Sequence, residues 1–323
     1  MKFHRTLTAI LLYITCFTTN VIAAGDKLSA LIIDGQNNHI VWPKATVMMK
    51  QYLEQSGLFS VEVYRTKPTW RGEEQPEHYR TYSDDSQFHV KTPIADPTFA
   101  PTFSNYDVII SNFGNTAAPW PTATQKAFED YMKNGGGFVS VHAADNSFPG
   151  WEEFNKIIGV AGWGNRDDSA GPHLYYSDDD HLIIDHVKGA AGTHGDIHEL
   201  EITKRNDHPI LAGLPDQWMH SKDECYGNLR GPAKNMAILA TAHCPHEYND
   251  TGKHEPMIMT IDYGKGRTFH TAMGHDDTSL SGVGFITILL RGAEWAATGF
   301  VTQEIPIDFP TATDATMRTF SKN

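Results

Sequence analysis

Three segments of the chain set histidines and carboxylates at the point where an apolar run stops. LSALIID ends at Asp34 and leads into GQNNHIVW, a polar loop holding Asn37, Asn38 and His39. GFVSVH ends at His142 and continues as AADNSF, with Asp145 one turn further on. RTFHTAM runs into GHDD, which supplies His275, Asp276 and Asp277. Near neutral pH an imidazole can take a proton, give one, or bind a metal, and neighbouring carboxylates widen the same options. Two more clusters join these. THGDIHEL spaces His194, Asp196 and His198 at alternate positions, so on a strand all three share a face, and two histidines with a carboxylate suit zinc. SKDECYG sets Asp223 beside Glu224 in a stretch without strong periodicity. Adjacent residues diverge on regular structure, so one of the two is expected to enter a site. Any one of these residues alone reads as a turn or cap; three polar run ends together point to function.

Those run ends matter only if the runs are strands of one sheet. LSALIID, LFSVEVYR, YDVIISNF and GFVSVH read as strands. Pro43 suits the first turn of a helix after the first of them. Thr122 and Gln125 stand at capping-box spacing before AFEDYMKN, and Gly135 suits its left-handed end. The order strand, helix, strand, strand, helix, strand predicts βαβ crossovers and a mainly parallel sheet in a three-layer α/β sandwich. Ligands of such sheets bind at the carboxyl ends of the strands. That rule nominates Asp34, His39, His142, Asp145, His275 and Asp276, with one of Asp223 and Glu224 open to join them from the second half. HELEITK, MAILATAH, MIMTIDY and RTFHTAM are strand-like, GKG turns between the last two, and a final helix covers Val283 to Ala297. The proline- and tyrosine-rich stretch from Thr66 to Ser104 is too long for an ordinary connection and reads as an insertion. Without a repeat or a clean linker, residues 28–298 form one elaborated α/β domain, followed by an extension over 299–323.

Lys2 and Arg5, the apolar run from Leu7 to Phe17 and Val21-Ile22-Ala23 have the layout of a signal peptide over residues 1–23. The expected protein is therefore exported, periplasmic or extracellular, with no membrane insertion once the segment is removed, since no later apolar run has spanning length. A net charge of −13 over 323 residues argues against nucleic acid or an anionic membrane as partner. Beyond Cys16 only Cys225 and Cys244 remain, which excludes a four-cysteine zinc site and leaves their pairing open. A homo-oligomer and a monomer are both compatible with the sequence. Trp42, Trp70, Trp120, Trp151 and Trp163 fall in or beside loops, where aromatic faces can stack on sugar rings. Ser140 and Ser147 lack the G-x-S-x-G turn of an esterase nucleophile.

NDHPILAGLPDQWMHSKDECYGNLRGP, MAILATAH and HEPMIMTIDYGKGRTFHTAMGHD, with GGGFVSVHAADNSFPGW upstream, together resemble the trehalose-utilisation (ThuA-like) family from about Leu28 to Thr298. The resemblance implies a flavodoxin-like sandwich related to class I glutamine amidotransferases. In that wider group a cysteine nucleophile occupies the strand-to-helix turn; here the turn reads VSVHAAD, with His142 in its place, so thiol chemistry is not expected. The resemblance also implies a small carbohydrate substrate, a disaccharide or a sugar oxidised at carbon 3, and maps family positions onto His142, Glu224 and His275. The expected enzyme is a hydrolase, lyase or isomerase in which His142 and Glu224 act as acid and base. Asp34, His39, Asp145, His275 and Asp276 would meet substrate. A divalent metal held by His142, Glu224 and His275 is the cofactor to test. The alternative of a different class is a carbohydrate-binding protein without catalysis.

Overall fold

Strand β1 (Leu28–Gln36) seals Ala30 to Ile33 from solvent completely, as a strand with layers on both faces must. Side chains alternate across it. Ala30 and Ile32 join one core, and Leu31 and Ile33 join another on the opposite face. β1 runs parallel to β2 (Phe59–Trp70) on one side and β4 (Val108–Ser111) on the other. β3 (Phe88–Val90) adds to the outer edge of β2, β5 (Gly137–Val141) follows β4, and β12 (Gly266–Thr271) follows β5, all parallel. The computed structural model describes residues 27–71, 79, 81–82 and 88–322. The expected signal segment 1–23 and part of the 66–104 insertion lie outside them.

Helix α1 (Trp42–Gln55), with Pro43 in its first turn, and α5 (Val283–Thr298) feed the first core through Met48, Met49, Leu53, Phe285 and Leu289. Helices α2 (Thr122–Lys133) and α3 (Glu152–Ile158) feed the second, an aromatic cluster that includes Phe113, Trp120, Phe128, Phe138 and Trp151. Trp42, Trp120 and Trp151 are thus packing residues rather than sugar platforms. The capping box expected from Thr122 and Gln125 does not form. Pro121 occupies the cap position, Thr122 is already helical, and the Gln125 amide donates to the Trp120 carbonyl instead.

Beyond β12 the sheet changes character. β11 (Lys253–Tyr263), β10 (Met236–Cys244), β8 (His198–Lys204) and β9 (Gln217–Asp223) continue it with every pairing antiparallel. β6 (His173–Tyr176) and β7 (Leu182–Asp185) form a hairpin that meets β11. Among the described residues the result is a twelve-stranded mixed sheet in the order β3-β2-β1-β4-β5-β12-β11-β10-β8-β9, with β6 and β7 off this path. The expectation of a mainly parallel sheet therefore holds only for the first half. The reason is connection length: the GKG turn between β11 and β12 permits only an antiparallel return. Residues 299–322 lie against the domain, with the Val283 and Met219 amides donating to the Thr316 and Thr311 carbonyls. Among the described residues, no helix is long and apolar enough to cross a membrane.

Candidate metal centre

β5 delivers His142 immediately past its last residue, at φ +46°, a left-handed conformation uncommon for a residue that carries a side chain. Its Nδ1 lies 2.7 Å from the Ala272 carbonyl. A carbonyl only accepts, so Nδ1 carries the proton and Nε2 is turned inward. Nε2 is buried without a hydrogen-bond partner, 3.6 Å from Glu224 Oε2. His39 arrives from the turn after β1, its Nδ1 3.2 Å from Asn37 Oδ1, and the Asn37 amide is tied to the Phe113 carbonyl at 3.0 Å. His275 follows β12. Its Nδ1 stands 2.9 Å from Glu224 Oε2 but outside hydrogen-bonding geometry. One nitrogen from each histidine and one Glu224 oxygen all lie within 4.8 Å of one another.

Glu224 is aimed by its neighbour. Asp223, fully buried at the end of β9, accepts from His220 Nε2 (2.9 Å) and the Gly274 amide (2.8 Å) with one oxygen. The other oxygen accepts from the Glu224 amide (2.9 Å) and the His275 amide (3.1 Å). A single carboxylate therefore locks the two backbone segments that carry Glu224 and His275. Only one of the adjacent acids enters the cluster, as their divergent directions require. SKD itself turns out to be the end of a strand, not irregular chain.

The electrostatics favour positive charge at this point. Burial alone would lower the His142 pKa, yet Glu224 and Asp223 overcome it and leave the ring raised. Burial would raise Glu224, but His142 and His275 outweigh it and hold the carboxyl well below its ordinary range. His39 is pushed well down, first by burial and then by His142 and His275. A divalent cation satisfies the same field, and three imidazoles with one carboxylate are a donor set suited to zinc and other first-row ions.

The other nominated acids are committed elsewhere. Asp34 is fully buried, in a bidentate pair with Arg65 (2.8 and 2.7 Å) and accepting from Thr46 Oγ1 at 2.6 Å. Asp145 is equally buried, 3.2 Å from His270 Nε2. Asp276 caps the four-residue helix α4 (Asp277–Leu280) by accepting from the Thr278 and Ser279 amides. Asp34 thus has both oxygens engaged, Asp145 is bound through one oxygen and keeps Oδ1 buried without a hydrogen-bond partner, and Asp276 is held through Oδ1 as a helix cap. His194, Asp196 and His198 do not share a strand face either, since β8 begins only at His198. His198 stacks on Tyr248, and Asp196 accepts from Asn249. His194 alone reaches the cluster, its Nδ1 3.7 Å from Glu224 Oε1 with a half-exposed ring.

Sequence reasoning missed Tyr226, whose ring centroid lies 4.1 Å from that of His142. Trp163 packs 4.6 Å from Tyr226 and 6.0 Å from His194, so it borders the cluster and is the tryptophan placed to meet a ligand there. Gly192, at φ +84°, makes room for it, since a Cβ there would come within 2.7 Å of the Trp163 ring. Cys225, between Glu224 and Tyr226, is joined to Cys244 in a disulfide. Ser140 and Ser147 are buried and form no nucleophilic arrangement; the Ser147 hydroxyl donates to the Gly114 carbonyl.

An α/β sheet with a buried histidine–carboxylate cluster at the ends of its parallel strands defines an α/β protein with a metal-competent site. The chain matches the family profile described as ThuA, trehalose utilisation, over residues 30–296, and it belongs to that family. Among solved structures it is similar to a ThuA-like protein from Parabacteroides merdae, at 39% identity and a TM-score of 0.79. That alignment covers 91% of this chain and 98% of the other. A second ThuA-like protein, from Bacteroides uniformis, shares the fold at 18% identity and a TM-score of 0.50, over 88% of this chain and 98% of its own. A search of curated proteins finds no match.

Proposed function

We propose that this protein is an exported, divalent-metal-dependent enzyme acting on a carbohydrate, a disaccharide or a 3-keto glycoside, by hydrolysis, elimination or isomerisation. The observation that carries the reading is the convergence of His39, His142, Glu224 and His275, with unpartnered buried nitrogens on His142 and His275. The family's connection with trehalose utilisation supports a sugar as substrate. So does the aromatic border of Trp163, Tyr226 and His194, because flat rings beside a polar centre suit the apolar face and hydroxyl rim of a pyranose.

In this reading His142 and Glu224 hold the ion instead of acting as free acid and base. When bound, a divalent ion supplies a Lewis acid that polarises a carbonyl or hydroxyl oxygen. A ketone at carbon 3 makes the adjacent C–H acidic enough for removal by a nearby base. The chain's own groups supply the order around that centre. The Ala272 carbonyl fixes the His142 tautomer, Asn37 orients His39, and Asp223 holds Glu224 and His275. A carbohydrate-binding protein without turnover is the competing reading. Four convergent donors, His142 and Glu224 buried among them, favour chemistry over simple binding.

Turnover of 3-keto-disaccharides by the purified protein, with and without a chelator, decides between them. Turnover that chelator abolishes and added metal restores is expected. Binding without turnover would leave the non-catalytic reading in its place. Export rests on the N-terminal pattern and is supported by the Cys225–Cys244 disulfide, which suits an oxidising compartment. Sequencing the mature N-terminus from secreted material tests it, with cleavage expected near Ala23.

A further inference from the structure

We propose a second divalent-cation site, of the zinc type, formed by Asp178, His243 and His254, which clips the β6–β7 hairpin to the main sheet. The site is separate from the cluster around Glu224 and shares no residue with it. His243 and His254 are directly opposed across the β10–β11 ladder, with ring centroids 4.8 Å apart. Strand register therefore fixes the pair before any ion arrives. Asp178, in the turn between β6 and β7, brings Oδ1 to 3.5 Å from His254 Nε2. One donor atom from each of the three lies within 4.8 Å of the others.

Zinc in a tetrahedral site holds its ligands at about 2.0–2.2 Å, which puts neighbouring donor atoms about 3.4 Å apart. A contraction of at most about 1.4 Å closes this cluster from within 4.8 Å to that spacing, and the Asp178 side chain, 90% exposed, is free to move toward the histidines. His254 is uncommitted. Its Nδ1 is buried without a hydrogen-bond partner, and its Nε2 meets the Asp178 carboxylate beyond good hydrogen-bonding distance. Three protein donors leave the fourth zinc position to water.

Local charge permits a cation. Arg205 is already paired with Asp180 in the same turn and lies over the Tyr176 ring. Lys253 is over Tyr175, which leaves the Asp178 carboxylate without a lysine or arginine partner among the described residues. At its other end the hairpin is already tied to β11 by His173 Nε2, 2.9 Å from Glu255 Oε2. Tyr176 opposite His254 is its one ladder pair with β11. An ion shared by the turn and by both strands beneath it ties all three segments at that weak point.

The test is zinc stoichiometry after chelator stripping and reloading, read by equilibrium dialysis with elemental analysis. Wild type, Glu224→Gln, His243→Ala and Asp178→Ala are compared. Two zinc ions per chain are expected in wild type and one in each of Glu224→Gln and His243→Ala. Asp178→Ala, at an exposed turn that folding does not depend on, should weaken the second ion by at least about tenfold, the scale on which losing even an outer-shell partner lowers metal affinity. Zinc should also slow proteolytic cutting in the 177–181 turn of wild type and Glu224→Gln, but not of His243→Ala. Unchanged stoichiometry and protection in His243→Ala and Asp178→Ala would overturn the proposal. Failure of the Glu224 centre gives a different pattern: one ion in wild type, kept in Glu224→Gln and lost in His243→Ala.

Discussion

The two halves of the sheet bring groups to the same site by different means. In the parallel half, His39 and His142 follow β1 and β5 directly, so pairing of buried strands aims them at the carboxyl edge. In the antiparallel half, Glu224 also follows a strand, β9, but one paired only antiparallel and at the end of the sheet path, and His194 sits on irregular chain. There, cross-links do the aiming: the fourfold Asp223 carboxylate for Glu224, and the Thr193–Gly227 bridge and the Gly195 amide on Asp250 for His194, while the Cys225–Cys244 disulfide braces the chain beside them. Strand ends tolerate change around them because the whole sheet holds them. Residues aimed by cross-links should be sensitive to the loss of a partner that never touches the ligand.

Removing a donor contributed by the antiparallel half should give the largest effect. Glu224→Gln is expected to lose metal by more than the roughly 100-fold typical of losing an outer partner, and to lose turnover with it, while the fold persists. Normal metal content in that variant, measured after dialysis, would break the comparison at its main point. Asp223→Asn comes next. The amide turns one acceptor into a donor facing backbone N–H groups and His220, so a loss of about 10–100-fold in metal affinity is expected. Breaking this buried pair should also cost about 3 kcal/mol of stability in urea unfolding. Unchanged metal affinity in Asp223→Asn would mean that Glu224 holds its place unaided.

Smaller effects sharpen the contrast. Trp163→Ala should keep its metal but bind sugar more weakly by about 1 kcal/mol, read by calorimetric titration, since it removes one aromatic face and no donor. The Cys225→Ser, Cys244→Ser double variant should leave turnover of the folded protein nearly unchanged, because Asp223 still orients Glu224. It should melt earlier, by the equivalent of about 3 kcal/mol for closing a loop of this size; the cysteines are 19 residues apart. A large loss of turnover in folded double variant would move the aiming role from Asp223 to the disulfide.

Much of the parallel half could be read in the chain, because its signals are local. Apolar runs such as LSALIID and GFVSVH, a proline in the first turn of α1 and polar residues just past the strand ends are contiguous in sequence. His39, His142 and His275 are accordingly legible from residue types and strand ends, whereas Glu224 is chosen over Asp223 only by the family resemblance, and the sequence sets His39 toward substrate and not among the metal donors. What escaped depends on long-range partners. Nothing beside Asp34 announces that Arg65, 31 residues on, will consume its carboxylate. Asp145 is taken by His270 across 125 residues. The alternation of His194, Asp196 and His198 mimicked a strand whose pairing with β9 starts only at His198. Tyr226 and Trp163 were hidden for a related reason: their approach to His142 and His194 comes from loops that have no periodicity to read.

The central claim is that one divalent ion sits among His39, His142, Glu224 and His275. Anomalous diffraction from crystals of metal-reconstituted protein, with data on both sides of the metal's absorption edge, tests it directly. The account predicts a peak about 2.0–2.2 Å from a nitrogen of each histidine and from a Glu224 oxygen. Reconstituted crystals with no anomalous peak within bonding distance of these four residues would contradict it.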